Sequence, residues 1–345
     1  MTNYGQNMSA EISEQPAMFT RILADRTQVD LVAQQVLQFN PKFVMFAGRG
    51  TSDNAALYGK YLTEIKLNLP AGQISASSLT AFGAHPNFKD VLVVVISQSG
   101  GSPDLIETAI VSKQCGALVL AITNNSYSEL ALAADLHLDV QAGPEIAVAA
   151  TKSFTAQMLT LWLLICSLGE TGGNTAHGLE SAANSTLDRS VELVEIAHKL
   201  ADANNLVVTG RGYSYPVALE AALKIMETSY IHSHGFSSAD LVHGPLAMIG
   251  PHDPVIVIAP DGKGFQALRP ALDRLNDTTS NLIIFGGREA KGISKFEFIN
   301  TYDCEEELSP LIDIIALQVA IVELAIIRGN NPDKPRGLSK VTKTW

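Results

Sequence analysis

The chain opens polar and then settles into alternation. Apolar residues at three- and four-residue spacing in ILADRTQVDLVAQQVLQF predict one or two amphipathic helices over residues 11 to about 38. Short unbroken apolar runs then take turns with amphipathic stretches. FVMFAG (43–48) reads as a strand and DNAALYGKYLTEIK (53–66) as a helix. VLVVVI (91–96) reads as a strand, PDLIETAIVSKQCG (103–116) as a helix and ALVLAIT (117–123) as a strand. Runs of Val, Ile and Leu without polar alternation suit parallel strands covered on both faces. The rhythm of strand and helix predicts an α/β fold with right-handed crossovers.

The pattern then returns. Gly48-Arg49-Gly50 in FVMFAGRGTS reappears as Gly210-Arg211-Gly212 in LVVTGRGYS, 162 residues further on. The same offset carries VLVVVI onto DPVIVI (253–258), and the strand starting near Val119 onto NLIIFGG. One offset thus relates three strands and a glycine signature. It predicts an internal duplication: two tandem doubly wound parallel-sheet domains, flavodoxin- or Rossmann-like, after an N-terminal helical segment. The glycine- and polar-rich stretch GETGGNTAHG (169–178) marks the seam, so domains are expected over 1–172 and 173–345.

The copies part company after one strand. VLVVVI runs into Ser97-Gln98-Ser99-Gly100-Gly101-Ser102 and then Pro103. The offset pairs that loop with Ala259-Pro260-Asp261-Gly262-Lys263-Gly264, which holds no serine. In open α/β sheets, ligands bind beyond the carboxyl ends of the strands. Glycines let backbone amides approach an anion, hydroxyls add donors, and a helix N-terminus adds partial positive charge. That set suits a phosphate monoester. Thr51 and Ser52, after Gly50, form a second hydroxyl-rich turn in the same half. Both turns also read simply as capped strand-to-helix turns. Neither matches the Walker A or GxGxxG pattern, so neither an NTP nor NAD is indicated, and no cofactor is expected.

Charge narrows the partners. Lys plus Arg number 24 against 35 for Asp plus Glu, a net charge of −11. Such a chain has no global attraction for a nucleic-acid backbone or an anionic membrane. No uninterrupted apolar run reaches the roughly 18 residues that span a bilayer. The polar start MTNYGQNMSAEISEQP lacks the pattern of a signal peptide. Cys115, Cys166 and Cys304 form no CxxC pair and read as reduced thiols of a cytoplasmic protein.

The blocks GRGTS, ISQSGGSPD, AGPEIAVAATKSFT (142–155), GRGYSYPVALEAALKIMETSYIH (210–232), DLVHGPLAMI (240–249) and PRGLSK (335–340) together resemble the isomerase half of glucosamine-6-phosphate synthase, a pair of sugar isomerase (SIS) domains. The resemblance covers nearly the whole chain, in order. It implies that Ser52, Ser97, Gln98, Ser99 and Ser102, with Thr51 beside them, hold the phosphate of an amino-hexose 6-phosphate. It places Gly50, Val148 and Ala150 near the sugar. It also implies a homodimer, its active site completed by a histidine of the neighbouring subunit. Two departures stand out. The synthase's glutaminase uses an N-terminal cysteine, whereas residue 2 here is Thr and the first cysteine is Cys115. Where the synthase carries a VAST block this chain reads Val148-Ala149-Ala150-Thr151, without the serine hydroxyl. Similar stand-alone double-SIS proteins include a second type of glucosamine-6-phosphate deaminase and fructosamine-6-phosphate deglycases.

Aldose–ketose chemistry needs a base between C1 and C2, a group that opens the ring, and stabilisation of the enediol or enolamine. Lys224 and Glu227 lie three apart on one helix face, with Glu220 on the same helix. By spacing alone they are a surface ion pair worth roughly 0.3–0.5 kcal/mol. The resemblance makes Glu227 the base and Lys224 its partner. His243 is the candidate for ring opening, since an imidazole titrates near neutrality. The resemblance places Lys340 in the active site, able to form a Schiff base with the open-chain ketose. His232 and His234 form an HxH pair, but no further ligand has convincing spacing, so the pair reads as polar loop and no metal is expected. Lys152 reads as a solvated residue at a helix start, and Glu145 as a residue orienting the turn before it. The leading expectation is deamination of glucosamine 6-phosphate to fructose 6-phosphate without glutaminase activity. The alternatives are a deglycase, a plain phosphosugar isomerase, or a non-enzymatic sugar-phosphate sensor.

Overall fold

The computed structural model describes residues 3–169, 176–300, 302 and 304–340. The expected boundary at 172/173 and the end of the tail, residues 341–345, lie outside them. The chain divides into two compact units. One comprises Ala17–Glu145, Lys152–Asn174 and Ser339–Trp345; the other comprises Met1–Pro16, Ile146–Thr151 and Thr175–Leu338.

The first unit is built on five parallel strands: β1 (Phe43–Ala47), β2 (Ala71–Gln73), β3 (Val91–Ser97), β4 (Leu118–Thr123) and β5 (Leu136–Asp139). Their spatial order is β2-β1-β3-β4-β5. β3 and β4 are buried almost throughout, as their unbroken apolar sequence requires. Helices Thr27–Phe39, Thr51–Lys66, Pro103–Gln114 and Lys152–Leu168 cover the faces. The helices expected over residues 11 to about 38 are present as Gln15–Ala24 and Thr27–Phe39, and a further short helix, Gln6–Ser13, precedes them. The left-handed Gly5 leads into that short helix, whose two polar residues at the start hide it from a search for apolar periodicity.

The second unit repeats the plan with β6 (Asn205–Gly210), β7 (His232–Ser237), β8 (Val255–Ala259), β9 (Leu282–Gly286) and β10 (Phe296–Ile299). Read from the other edge, β7-β6-β8-β9-β10 is the same order, again all parallel. The duplication seen in the sequence is therefore a duplication of topology. Its glycine signature has a steric cause common to both copies. A Cβ on Gly48 would lie 2.6 Å from the Ser52 backbone, and one on Gly210 would lie 2.7 Å from the Ser214 carbonyl oxygen. In each copy the turn after the first strand passes too close to its helix for any side chain.

The core helix of the second unit is Ser309–Ile327, packed by helices Gln6–Ser13, Leu179–Leu187, Ser190–Leu200 and Ser214–Ser229. With the turn before it, Glu306–Ile327 is long and apolar enough to cross a membrane by length and composition. Asp313, Gln318 and Glu323 interrupt its apolar sequence, which is why no unbroken run was seen. In this fold 78% of its apolar window is buried, and both Asp313 and Gln318 are buried with it. It reads as the centre of a globular unit.

The loop after β8 also explains the divergence of the copies. Glu306 accepts hydrogen bonds from Lys263 N (2.9 Å) and Gly264 N (2.7 Å), the first two amides of the helix Lys263–Thr278. A carboxylate of the chain itself thus sits where an anion would sit at a helix N-terminus. Asp261 does the same for the next loop, accepting from Arg288 N (3.0 Å) and Glu289 N (2.7 Å). Glu306→Ala is expected to destabilise the protein by about 1 kcal/mol, the usual cost of a lost N-terminal cap, read as a lower urea midpoint at unchanged m-value.

Candidate active site

The strand order of the first unit fixes where a ligand can enter. β1 and β3 are neighbours, and the strand order reverses between them, so the turns leaving their carboxyl ends flank the topological switch point. One turn carries Gly50, Thr51 and Ser52; the other carries Ser97 to Ser102. Ser97 is buried and its Oγ accepts from Gly100 N at 3.1 Å. Ser99 Oγ accepts from Gly101 N at 3.3 Å. A serine hydroxyl that accepts a backbone N–H keeps its own proton to donate. Ser102 occupies the N-cap position of Pro103–Gln114, yet its side chain makes no capping bond. Gln98 and Ser102 are half-buried, and neither side chain has a protein partner among the described residues.

The loop is held rigidly. Gly100 has φ +65°, and a Cβ there would lie 2.1 Å from Ser128 Oγ, so only glycine fits. Its carbonyl accepts from Leu130 N at 3.0 Å, and the Gln98 carbonyl accepts from Asn124 N at 3.0 Å. Ser52 is buried and accepts from Gln157 Nε2 at 3.1 Å. The two turns are tied by an ion pair that spacing did not reveal: Arg49 Nε donates to Asp104 Oδ2 at 2.6 Å. The pair joins residues 55 apart in sequence, and the Gly-Arg-Gly repeat was its sole trace.

Glu145 lies in the same unit, its side chain fully enclosed. It accepts from Ser153 N (3.0 Å) and Ser153 Oγ (2.8 Å), capping the helix Lys152–Leu168. Lys340 Nζ donates to it at 2.7 Å. The orienting role read for Glu145 has this geometry behind it. Lys152 departs from expectation: it is 1% exposed, not solvated, because the helix it begins is buried along nearly its whole length.

In the second unit the helix Ser214–Ser229 carries Glu220, Lys224 and Glu227 on one face. Lys224 Nζ lies 2.5 Å from Glu227 Oε2 and 3.6 Å from Glu220 Oε1. Side-chain exposure is 0% for Glu220, 1% for Lys224 and 20% for Glu227. This is no surface ion pair. Packing against β6, β7 and the Ser309–Ile327 helix takes the face out of water. A buried ammonium must be paired, and here two carboxylates flank it. Val148 and Ala150, both half-buried, belong to the short Ile146–Thr151 segment of this unit. Val148 N donates to the Asp333 carbonyl at 3.2 Å.

His243 sits in the turn after the short helix Ser238–Leu241, exposed. Its ring has no partner among the described residues. No described hydrogen bond or ion pair joins it to Lys224 or Glu227. His232 and His234 are not in a loop; they stand exposed on β7, an edge strand, and His234 stacks on Phe236. Sheet pairing with β6 extends this polar sequence into a strand that its composition did not suggest.

With the geometry in view, the chain can be placed among known proteins. It is 35% identical over 350 residues to the glutamine–fructose-6-phosphate aminotransferase (isomerizing) of Thermococcus kodakarensis, covering 98% of this chain and 58% of the relative. The Escherichia coli enzyme of the same name is 32% identical, with the same coverage. The chain therefore spans a little over half the length of these curated relatives. Among solved structures, the C-terminal domain of the Francisella tularensis glucosamine-fructose-6-phosphate aminotransferase superposes with TM-score 0.84 at 28% identity, covering 96% of this chain and 99% of that one. The glucosamine-6-phosphate deaminase of Thermotoga maritima shares the fold with TM-score 0.77 at 23% identity, covering 98% and 100%. The SIS domain model matches residues 39–167 and again 199–328, one match in each half, and the chain belongs to the SIS-domain family.

Proposed function

We propose that the chain catalyses aldose–ketose chemistry on a hexose 6-phosphate, in the form of hydrolytic deamination: glucosamine 6-phosphate and water give fructose 6-phosphate and ammonia. The observation that carries this reading is the buried Lys224–Glu227 pair at 2.5 Å. A carboxylate beside a desolvated ammonium, with a fifth of its side chain still accessible, is equipped to shuttle one proton. The serine loop supports a phosphorylated substrate, since the side chains of Gln98 and Ser102 have no protein partner among the described residues at the switch point.

The roles follow. Thr51, Ser52, Ser97, Gln98, Ser99 and Ser102 donate to the phosphate, and Gly50, Val148 and Ala150 border the sugar. His243 opens the ring by moving a proton between the ring oxygen and O1; its exposure suits service to the sugar held by a second copy of the chain, in a homodimer. Glu227 takes the C2 proton of the open-chain aldehyde and returns it to C1, giving the ketose imine. Lys224 holds Glu227 in place and steadies the developing charge. Water then adds at C2 and ammonia leaves. Lys340 is tethered to Glu145 and must leave it to attack a carbonyl, so its first role is to bring positive charge to the site. A cytoplasmic setting and the absence of glutaminase activity belong to the same proposal. The second reading is a fructosamine-6-phosphate deglycase, which the same aldose–ketose parts would serve.

Glucosamine 6-phosphate is expected to release ammonia and fructose 6-phosphate in equal amounts, followed by coupled assays. Turnover of a fructosyl-amino-acid phosphate with no ammonia from the amino sugar would sink the deaminase reading and leave the deglycase. Glu227→Gln is expected to lower kcat by about 10²–10⁴ while leaving substrate affinity near the wild-type value. Ser97→Ala combined with Ser99→Ala should act the other way, raising KM at least tenfold before kcat falls; an unchanged KM would remove the loop from phosphate binding.

A further inference from the structure

The two turns that flank the switch point of the first sheet offer neutral donors, with one exception. Arg49 is the sole cation in residues 48–52 and 97–103. Its Nε is spent on Asp104 Oδ2, at 2.6 Å. Asp104 is the second residue of the helix Pro103–Gln114, whose N-cap is Ser102. The ion pair therefore holds the guanidinium at the start of the helix into which the serine loop runs. The carboxylate side chain is 4% exposed and the arginine side chain 47%. A guanidinium carries five N–H donors in a fixed fork. Neither Nη group has a protein partner among the described residues.

The second copy shows which part of this arrangement the fold does not need. The 162-residue offset pairs Arg49 with Arg211 and Asp104 with Gln266. Arg211 therefore finds no acid at that position, and its Nη1 donates to Ser237 Oγ at 3.4 Å. The arginine repeats and its anchor does not. The anchor occurs only in the copy whose loop carries the serines. An acid in the first turn of a helix suits the helix but repels an anion bound at the same N-terminus. Asp53, in the first turn of Thr51–Lys66, is a second such acid. Burial raises its carboxyl, and the Arg49 charge opposes that rise. Arg49 thus offsets two acids at the helix starts and still has N–H groups to give.

We propose that Arg49 binds the substrate phosphate: its Nη groups donate to the phosphate oxygens, and Asp104 fixes the plane of the fork. Hydrogen bonds between arginine and phosphate are charge-assisted, about twice as strong as neutral ones, and frequently bidentate. Arg49 supplies the one charged contact in a cradle otherwise made of hydroxyls and amides. The inference rests on the phosphate reading of the serine loop and is independent of which amine leaves the sugar.

The test uses the full chain and glucitol 6-phosphate, which carries the phosphate but no carbonyl and so cannot turn over. Titration calorimetry reads its Kd for the wild type, Arg49→Met, Asp104→Asn and the double variant. Arg49→Met is expected to weaken binding roughly 10- to 100-fold, the range of one hydrogen bond to a charged group. The double variant separates donation from screening. With residue 104 neutral, an arginine that only screened Asp104 has nothing left to do. Binding by the double variant at least tenfold weaker than by Asp104→Asn supports the proposal. Equal binding by those two, or unchanged affinity in Arg49→Met, overturns it. A wild type that binds no glucitol 6-phosphate removes the phosphate reading itself, and the proposal with it. Should Arg49→Met fail to fold, phenylglyoxal modification of the wild type decides. Protection of Arg49 by glucitol 6-phosphate, mapped by mass spectrometry, supports the contact, and equal modification with and without it overturns the proposal.

Discussion

A parallel sheet in which β1 and β3 are neighbours, with their connections leaving in opposite directions, cannot close its carboxyl edge. That constraint governs both halves of this chain, because both have the same strand order. Each half must place something over the gap. The first leaves it lined with hydroxyls and amides around Ser97 to Ser102. The second fills it from within, laying Glu306 on the amides of Lys263 and Gly264. Duplication supplied two equivalent openings, and the chain covers the second with its own carboxylate.

This sorts the repeated motif from the unrepeated one. Gly48 and Gly210 recur because in both copies a Cβ there would lie under 3 Å from the backbone of the following helix. The recurrence is steric and says nothing of chemistry. The serine loop does not recur, and its side chains Gln98 and Ser102 have no internal work among the described residues. What the two copies share is what the fold needs; the loop they do not share is not required by it.

The strands, the duplication and the serine loop were legible because apolar runs and glycine spacing are local signals. What escaped was long-range. Arg49 meets Asp104 across 55 residues, and Gly264 meets Glu306 across 42; no periodicity encodes such pairings. The burial of Lys152 is hidden for the same reason. A lysine after a turn is ordinarily solvated, and only the burial of its whole helix decides otherwise. The Ser309–Ile327 helix gives no unbroken apolar signal because Asp313, Gln318 and Glu323 interrupt it, and Asp313 and Gln318 are where its burial is costly.

The buried charges carry the last step. Replacing a buried ion pair with apolar side chains of similar volume is often neutral or stabilising. The faces of Ser214–Ser229 and Ser309–Ile327 could therefore be wholly apolar with no loss of fold, as their neighbours Val217, Ala221, Ile225, Ile312 and Ile315 show by packing at 0% exposure. Glu220, Lys224 and Asp313 are instead ionisable side chains held away from water, with Glu227 at the margin. Packing does not account for them. In the first helix the pairing holds Glu227 beside the buried Lys224 ammonium. In the second, burial pushes the Asp313 carboxyl up to about 8, so a proton neutralises it. The same desolvation that makes each group expensive gives it a defined partner, a carboxylate for Lys224 and a proton for Asp313.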